Sequence, residues 1–262
     1  GPLGRLLEPM GSLTFEEAYD AFAHMIEDGK DADLILIETM TDLAELKAAL
    51  LAAKEHSDLP VLCSMSFEKN GRTFTGCDAA AYAMTASPLA DAVGANCSLG
   101  PDELLPVAEK ILSYTDKPVI VQANAGLPDE NAHYGVSADE FAKTYEKLID
   151  SGVRIIGGCC GTTPEYIRKL RALADGRKPA PMPYRPRSAV CSAMKVVEID
   201  GVRVIGERIN PTGKKAMKAA LLAGDYDYVA AQAVEQTEAG ADILDVNAGL
   251  PELDEADVLT RI

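Results

Sequence analysis

An α/β fold built on a parallel sheet is what this sequence predicts, on two observations. Short apolar runs recur at Leu34–Ile37, Val61–Met65, Ala92–Ala95, Pro118–Val121 and Arg154–Ile156. Between them lie stretches of helical period at Phe15–Glu27, Thr41–Glu55, Pro101–Leu112, Ala138–Ile149 and Pro164–Leu173. Strands that alternate with helices of this length imply parallel pairing through right-handed crossovers.

Several of these helices carry start signals. Thr14 precedes Glu17 and Ser137 precedes Glu140 as capping boxes, while Pro101 and Pro164 stand where first-turn prolines belong. The runs themselves are short and rich in Val, Ile and Ala, as expected of strands covered on both faces. Five strand–helix units occupy about 175 residues, roughly 35 each, close to the share of one unit in an eight-unit barrel of about 250 residues. Five units do not close a barrel, so the pattern fits either an open doubly wound sheet or a barrel without its first three units.

Residues 176–190 carry four prolines among basic and small residues, which is linker chemistry. Beyond it, Lys195–Ile199 and Val202–Ile205 read as a short hairpin or paired strands. A helix over Tyr228–Ala239, a buried strand at Ile243–Val246 and the start of another helix follow. Asn124-Ala-Gly-Leu-Pro-Asp is echoed by Asn247-Ala-Gly-Leu-Pro-Glu, each after a strand, so both halves set an amide at a strand end.

Composition removes several functions. A net charge of −16 and a pI near 4.6 are wrong for nucleic acid, which demands clustered Lys and Arg. There is no run of about eighteen apolar residues to span a membrane and no charged-then-apolar opening to direct export. Six cysteines without small-domain spacing suit a reducing cytoplasm, and 47% hydrophobic residues allow a large core.

Three of those cysteines stand apart. Cys97 ends the run Ala92-Val93-Gly94-Ala95-Asn96, and Cys159-Cys160 follow Ile155-Ile156-Gly157-Gly158. Carboxyl ends of parallel strands share one face, where such folds place their chemistry. Three thiolates converging there with a fourth position open describe a catalytic zinc site. Core filling and a strained vicinal disulfide are the competing readings. Cys63, Cys77 and Cys191 read as core or incidental. His24 and His56 fall in helical stretches and His133 in a loop, and none is given a role.

At Gly94-Ala95-Asn96-Cys97 and Gly157-Gly158-Cys159-Cys160-Gly161-Thr162 the sequence resembles the zinc-dependent homocysteine S-methyltransferases. Glu38 in Ile37-Glu38-Thr39-Met40 matches that family's acidic residue for the substrate amino group. Ile205-Gly206-Glu207-Arg208-Ile209-Asn210-Pro211-Thr212-Gly213 looks like the start of a pterin-binding methyltransferase barrel, and Asp242-Ile243-Leu244-Asp245-Val246-Asn247 fits its next strand. Two such modules in this order resemble the cobalamin-dependent methionine synthases.

The resemblance implies the last five units of a (β/α)8 TIM barrel at residues 1–175, a linker at 176–194, and the beginning of a second TIM barrel at 195–262. Gly1-Pro2-Leu3-Gly4 then reads as the loop after the third unit. The cobalamin-binding module would be a partner outside the chain. By itself the chain is expected to turn over no homocysteine.

The implied mechanism is thiol activation. Cys97, Cys159 and Cys160 would hold zinc, and homocysteine sulfur would complete the set as an electron-rich thiolate. Methylcobalamin would supply the methyl group and be re-methylated from 5-methyltetrahydrofolate. Glu38 would pair with the substrate ammonium, with Asn96 and Asn124 hydrogen-bonding beside it. Glu207, Asn210, Asp245 and Asn247 would hold the pterin edge. A zinc methyltransferase using betaine or S-methylmethionine is an alternative that the homocysteine half does not exclude, as is a non-catalytic zinc-binding piece.

Overall fold

The computed structural model describes every residue except Ala132 and Pro179, so that one linker proline lies outside the described residues. The chain divides into two compact units, Gly1–Pro186 with Cys191–Val196, and Arg187–Val190 with Val197–Ile262.

The first unit is an α/β sheet in sequence order. β1 (Ile35–Met40), β2 (Val61–Met65), β3 (Ala92–Asn96), β4 (Val119–Ala123) and β5 (Ile155–Gly158) are all parallel, each paired with the next. Six helices surround them: α1 (Phe15–Asp28), α2 (Leu43–His56), α3 (Ala79–Ala86), α4 (Pro101–Tyr114), α5 (Ala138–Ser151) and α6 (Pro164–Ala174). Both capping boxes form, at Thr14–Glu17 and Ser137–Glu140, and both first-turn prolines sit at helix starts.

Four of the five strands run past their apolar stretch, by three residues at β1, one at β3 and two each at β4 and β5. Apart from Met40, the extra residues are polar, small or strained, so an apolar run does not reveal them. α3 is absent from the sequence pattern for a different reason. Ala79–Ala83 and Ala86 are all buried, so the helix has no polar face to set a period.

Helices and sheet enclose one core. Tyr82 and Tyr145 are its largest fully buried side chains, and each hydroxyl serves the backbone. Tyr82 donates to Cys63 O and accepts from Gly94 N–H; Tyr145 donates to Gly157 O and accepts from Ala123 N–H. These phenols staple helix to strand. Gly94 must be glycine: a Cβ there would stand 1.8 Å from Ile120 O.

The second unit contains β8 (Ile205–Ile209) and β9 (Ile243–Val246), which pair in parallel, with α7 (Lys215–Ala223), α8 (Tyr226–Glu238) and α9 (Glu255–Arg261). Ile209, Met217, Leu221, Val229, Ala248 and Val258 form its small core. The expected hairpin is corrected here. β6 (Ala189–Cys191) pairs with β7 (Val196–Glu198) through a turn in which Ser192 N–H meets Lys195 O. Val202 is 92% exposed and unpaired, because Ile205 onward is claimed by the parallel ladder to β9. No helix among the described residues is long and apolar enough to cross a membrane.

Asp78 anchors the long β2–α3 connection. Its carboxylate caps α3 at Ala80 N–H and takes a 2.9 Å hydrogen bond from Lys110, with Arg72 at 3.7 Å. Burial alone would raise its pKa, but those donors outweigh burial and hold it below the ordinary carboxylate value. Asp78→Ala is therefore expected to cost about 2 kcal/mol at neutral pH in urea unfolding. A lowered folded pKa gives stability above the unfolded value that is lost on acidification through the folded value. The gap between wild type and variant should thus narrow below about pH 4, and a pH-independent gap would contradict this assignment.

Candidate metal centre

The ends of β3 and β5 converge beside the end of β4, which organises them. Gln122 O accepts from Cys97 N–H at 3.0 Å, and Ala123 O accepts from Cys159 N–H at 2.8 Å. Asn124 Oδ1 accepts from Cys160 N–H at 3.0 Å, and Ala125 N–H returns a bond to Cys160 O at 2.9 Å. Both cysteine segments therefore hang from four consecutive residues of one rail.

The motif Gly157–Thr162 follows position by position. A Cβ on Gly157 would press Gln122, and one on Gly158 would stand 2.4 Å from Thr162 Oγ1. Thr162 closes the turn, its hydroxyl donating to Cys159 O at 2.7 Å. Gly161 has φ +79°, and its missing Cβ leaves the space that the Tyr134 ring fills.

The result brings the Sγ atoms of Cys97, Cys159 and Cys160 within 4.8 Å of one another. Cys97 and Cys160 sulfurs are 3.6 Å apart, and Cys159 and Cys160 sulfurs are 4.0 Å apart. A tetrahedral ion with bonds of about 2.3 Å requires sulfur–sulfur edges of about 3.8 Å, so these spacings fit zinc. They do not fit a disulfide, whose sulfurs bond at about 2.05 Å. Cys97 and Cys159 are half-buried and Cys160 is exposed, which leaves a side open to a fourth ligand. Burial, helped by the hydrogen bond and charge of Cys97 and the charge of Cys160, pushes the Cys159 thiol up to about 12. Burial and the neighbouring sulfurs oppose ionisation of Cys159, and a bound cation removes that opposition.

Cys63 and Cys77 are buried in the core, each pushed up to about 12, chiefly by burial, and Cys191 is exposed. None of these three joins the cluster.

The predicted neighbours sit around it in different ways. Asn96 is fully buried, and its carboxamide is committed inside the protein. Oδ1 accepts from Thr39 N–H at 2.8 Å and Ser64 hydroxyl at 2.7 Å, while Nδ2 donates to Thr39 Oγ1 at 2.8 Å and reaches Cys159 Sγ at 4.0 Å. Asn96 O accepts from Ser66 at 2.9 Å. Asn124 is likewise buried and holds Cys160.

Glu38 lies in a bulge of β1, where Glu38 and Thr39 oppose Ser64 alone between the pairs Ile37–Cys63 and Met40–Met65. Its carboxylate makes no hydrogen bond or ion pair among the described residues. Thr39 at φ 62°, Cys97 at φ 61° and Ser98 at φ 58° are the non-glycine residues in the left-handed region, and all border this site. Such strain costs on the order of 1–3 kcal/mol each and persists only where surrounding bonds impose it.

Thr39, Ser64, Ser66, Thr162 and Tyr134 were not singled out by the sequence. Only Thr162, inside the Gly-Gly-Cys-Cys-Gly-Thr run, carried a local signal. The Tyr134 phenol is raised above its ordinary value by burial first, then by the charge and hydrogen bond of Cys160 and the charges of Cys97 and Cys159.

In the second unit, Glu207 and Asp245 lie within β8 and β9, and Asn210 and Asn247 directly follow the two strands, where Asn247 N–H meets Ile209 O at 2.9 Å. Asn210 Nδ2 donates to Glu207 Oε1 and Lys214 Nζ donates to Glu207 Oε2 at 2.8 Å, which lowers the Glu207 pKa. Asp245 and Asn247 are exposed.

Comparison with known proteins adds the following. Residues 1–174 match the homocysteine S-methyltransferase family. The chain is 33% identical over 268 residues to the methionine synthase of Mycobacterium leprae (strain TN) and 34% identical over 263 residues to that of Mycobacterium tuberculosis (strain ATCC 25618 / H37Rv). Each alignment covers 94% of this chain, so it extends well past residue 174, but only 22% of the relative. Among solved structures, the metallated form of the homocysteine methyltransferase MmuM from Escherichia coli matches at TM-score 0.47 and 22% identity, covering 59% of this chain and 51% of that one. The apo form matches at TM-score 0.46 and 21% identity, covering 60% of this chain and 57% of that one. With the family matched over residues 1–174, which include the three cysteines, the chain belongs to the homocysteine S-methyltransferases.

Proposed function

We propose that this chain is the homocysteine-activating part of a methionine synthase, with residues 1–175 the later portion of a substrate barrel, 176–194 a linker and 195–262 the opening of a pterin-binding barrel. The single observation that carries the proposal is the sulfur triad, spaced as a tetrahedral ion requires and open on one side.

Cys97, Cys159 and Cys160 would hold zinc. Zinc supplies Lewis acidity that lowers the pKa of an incoming thiol and keeps it as thiolate at neutral pH. The chain's own residues fix the rest. Residues 122–125, at and just after the end of β4, hold both cysteine segments in place, and Asn96 ties Cys159 to the strained turn at Thr39. The bulge that strains Thr39 also presents Glu38, whose unpaired carboxylate suits the ammonium of homocysteine. Asn96 and Asn124 thus serve substrate binding by positioning, since both are buried and engaged within the protein.

The methyl donor in this reading is methylcobalamin, bound by a module outside this chain and re-methylated from 5-methyltetrahydrofolate. Glu207, Asn210, Asp245 and Asn247 would contact the pterin. The place of Asn210 and Asn247 just after two paired strands supports that role, as does the similarity to methionine synthases across 94% of the chain. That extent favours the folate-linked reading over betaine or S-methylmethionine as donor.

Elemental analysis of the purified chain should find about one zinc, lost on Cys160→Ser. A folded wild-type chain without zinc would refute the assignment of the cysteines. Calorimetric titration of the zinc-loaded chain with homocysteine should give a Kd about ten-fold weaker for Glu38→Gln, with zinc content unchanged. Equal affinities would remove Glu38 from the substrate site.

A further inference from the structure

We infer that Gln122 is a specificity-determining residue of the substrate site, whose Oε1 accepts a hydrogen bond from the ammonium of the bound thiol. This inference rests on the proposed function and names a further contact for the same substrate.

The sheet has two unlike faces. Ile37, Cys63, Val93, Val121 and Ala123 face the helices and are buried in the main core. Strand alternation turns Ser64, Asn96, Gln122 and Gly157 to the opposite face. The ladder sets Asn96, Gln122 and Gly157 in one row across β3, β4 and β5. The Cys159 sulfur stands next to that row, 4.0 Å from Asn96 Nδ2, and the backbone of Gln122 holds Cys97. Position 122 thus lies in the row that borders the sulfur triad.

Two amides sit side by side in this row, and they differ in one respect. The Asn96 carboxamide is engaged by Thr39 and Ser64. Gln122 Oε1 is buried yet accepts from no group of the protein, the one such side-chain oxygen or nitrogen among the described residues. The side chain lies across Gly157, where a Cβ would stand 3.2 Å from Gln122 Cγ and 3.7 Å from Nε2. Gly157 therefore makes room for the glutamine. Gln122 as a whole is half-buried and not sealed in the core.

An unmet buried acceptor lowers stability, and folded proteins keep few of them. This one calls for an N–H or O–H donor. On homocysteine that donor is the ammonium, since the carboxylate and the metal-bound thiolate only accept. An ammonium has three hydrogens to place, so Glu38 and Gln122 have separate roles. The carboxylate supplies charge and the carboxamide oxygen supplies direction. A thiol without the amine would leave the Gln122 acceptor unmet, which is how a polar site rejects an analogue that lacks its partner.

Gln122→Leu fills nearly the same space and removes the acceptor. Calorimetric titration of the zinc-loaded chain compares L-homocysteine with 4-mercaptobutanoate, which has the same thiol and carboxylate but no amine. The variant should bind homocysteine about ten-fold more weakly and 4-mercaptobutanoate as wild type does, with its zinc and melting temperature retained. If the leucine disturbs either of the last two, Gln122→Met, which is more adaptable in packing, repeats the comparison. Unchanged homocysteine affinity, or equal weakening toward both thiols, would reduce Gln122 to a wall of the site. Either result overturns the inference and leaves the zinc reading intact. A wild-type chain that holds zinc but binds neither thiol would overturn the substrate reading, and this inference with it.

Discussion

The cysteine cluster depends on the carboxyl end of β4. Residues 122–125 bind Cys97, Cys159 and Cys160 through three backbone N–H groups and one returned bond, so cysteines about sixty residues apart in sequence are set by one short rail. The rail is held in turn by the Tyr145 hydroxyl at Ala123 and by the close approach of Gly94 to Ile120. Core and site are therefore continuous. Loss of a buried phenol in the core would be felt at the sulfur atoms.

Asn96 extends that control across the sheet. It precedes Cys97, and its carboxamide binds Ser64 on the adjacent β2 and Thr39 on β1 beyond it. Leaving such an amide unpaired in the interior is costly, so the bonds are strongly selected over alternatives. They impose left-handed backbone on a β-branched residue and set Glu38 in a bulge. Strain at Thr39, Cys97 and Ser98 is the local cost of fixing a carboxylate and a thiol in place.

Much of this was legible in the sequence. The five parallel strands, both capping boxes and the convergence of Cys97 with Cys159-Cys160 follow from apolar runs and turn residues alone. What was not legible was long-range or masked by composition. α3 has no polar face, most strand-end residues are polar or small although they join the backbone ladder, and the Ile205 strand belongs to a partner nearly forty residues on rather than to a hairpin. Tyr134 gives no signal because its packing depends on a glycine twenty-seven residues later. The echoed Asn-Ala-Gly-Leu-Pro shows the same limit. Asn124 reaches across to Cys160, whereas Asn247 caps its own turn at Gly249.

The two units place polar groups at strand ends with different chemistry. The first offers soft sulfur on a dense core, the second exposed amides and carboxylates at the end of a two-strand ladder. The account stands on the first of these. X-ray absorption at the zinc edge of the metal-loaded chain tests it most directly. Three sulfur neighbours at about 2.3 Å are predicted. A first shell of nitrogen and oxygen, with fewer than three sulfurs, would contradict it.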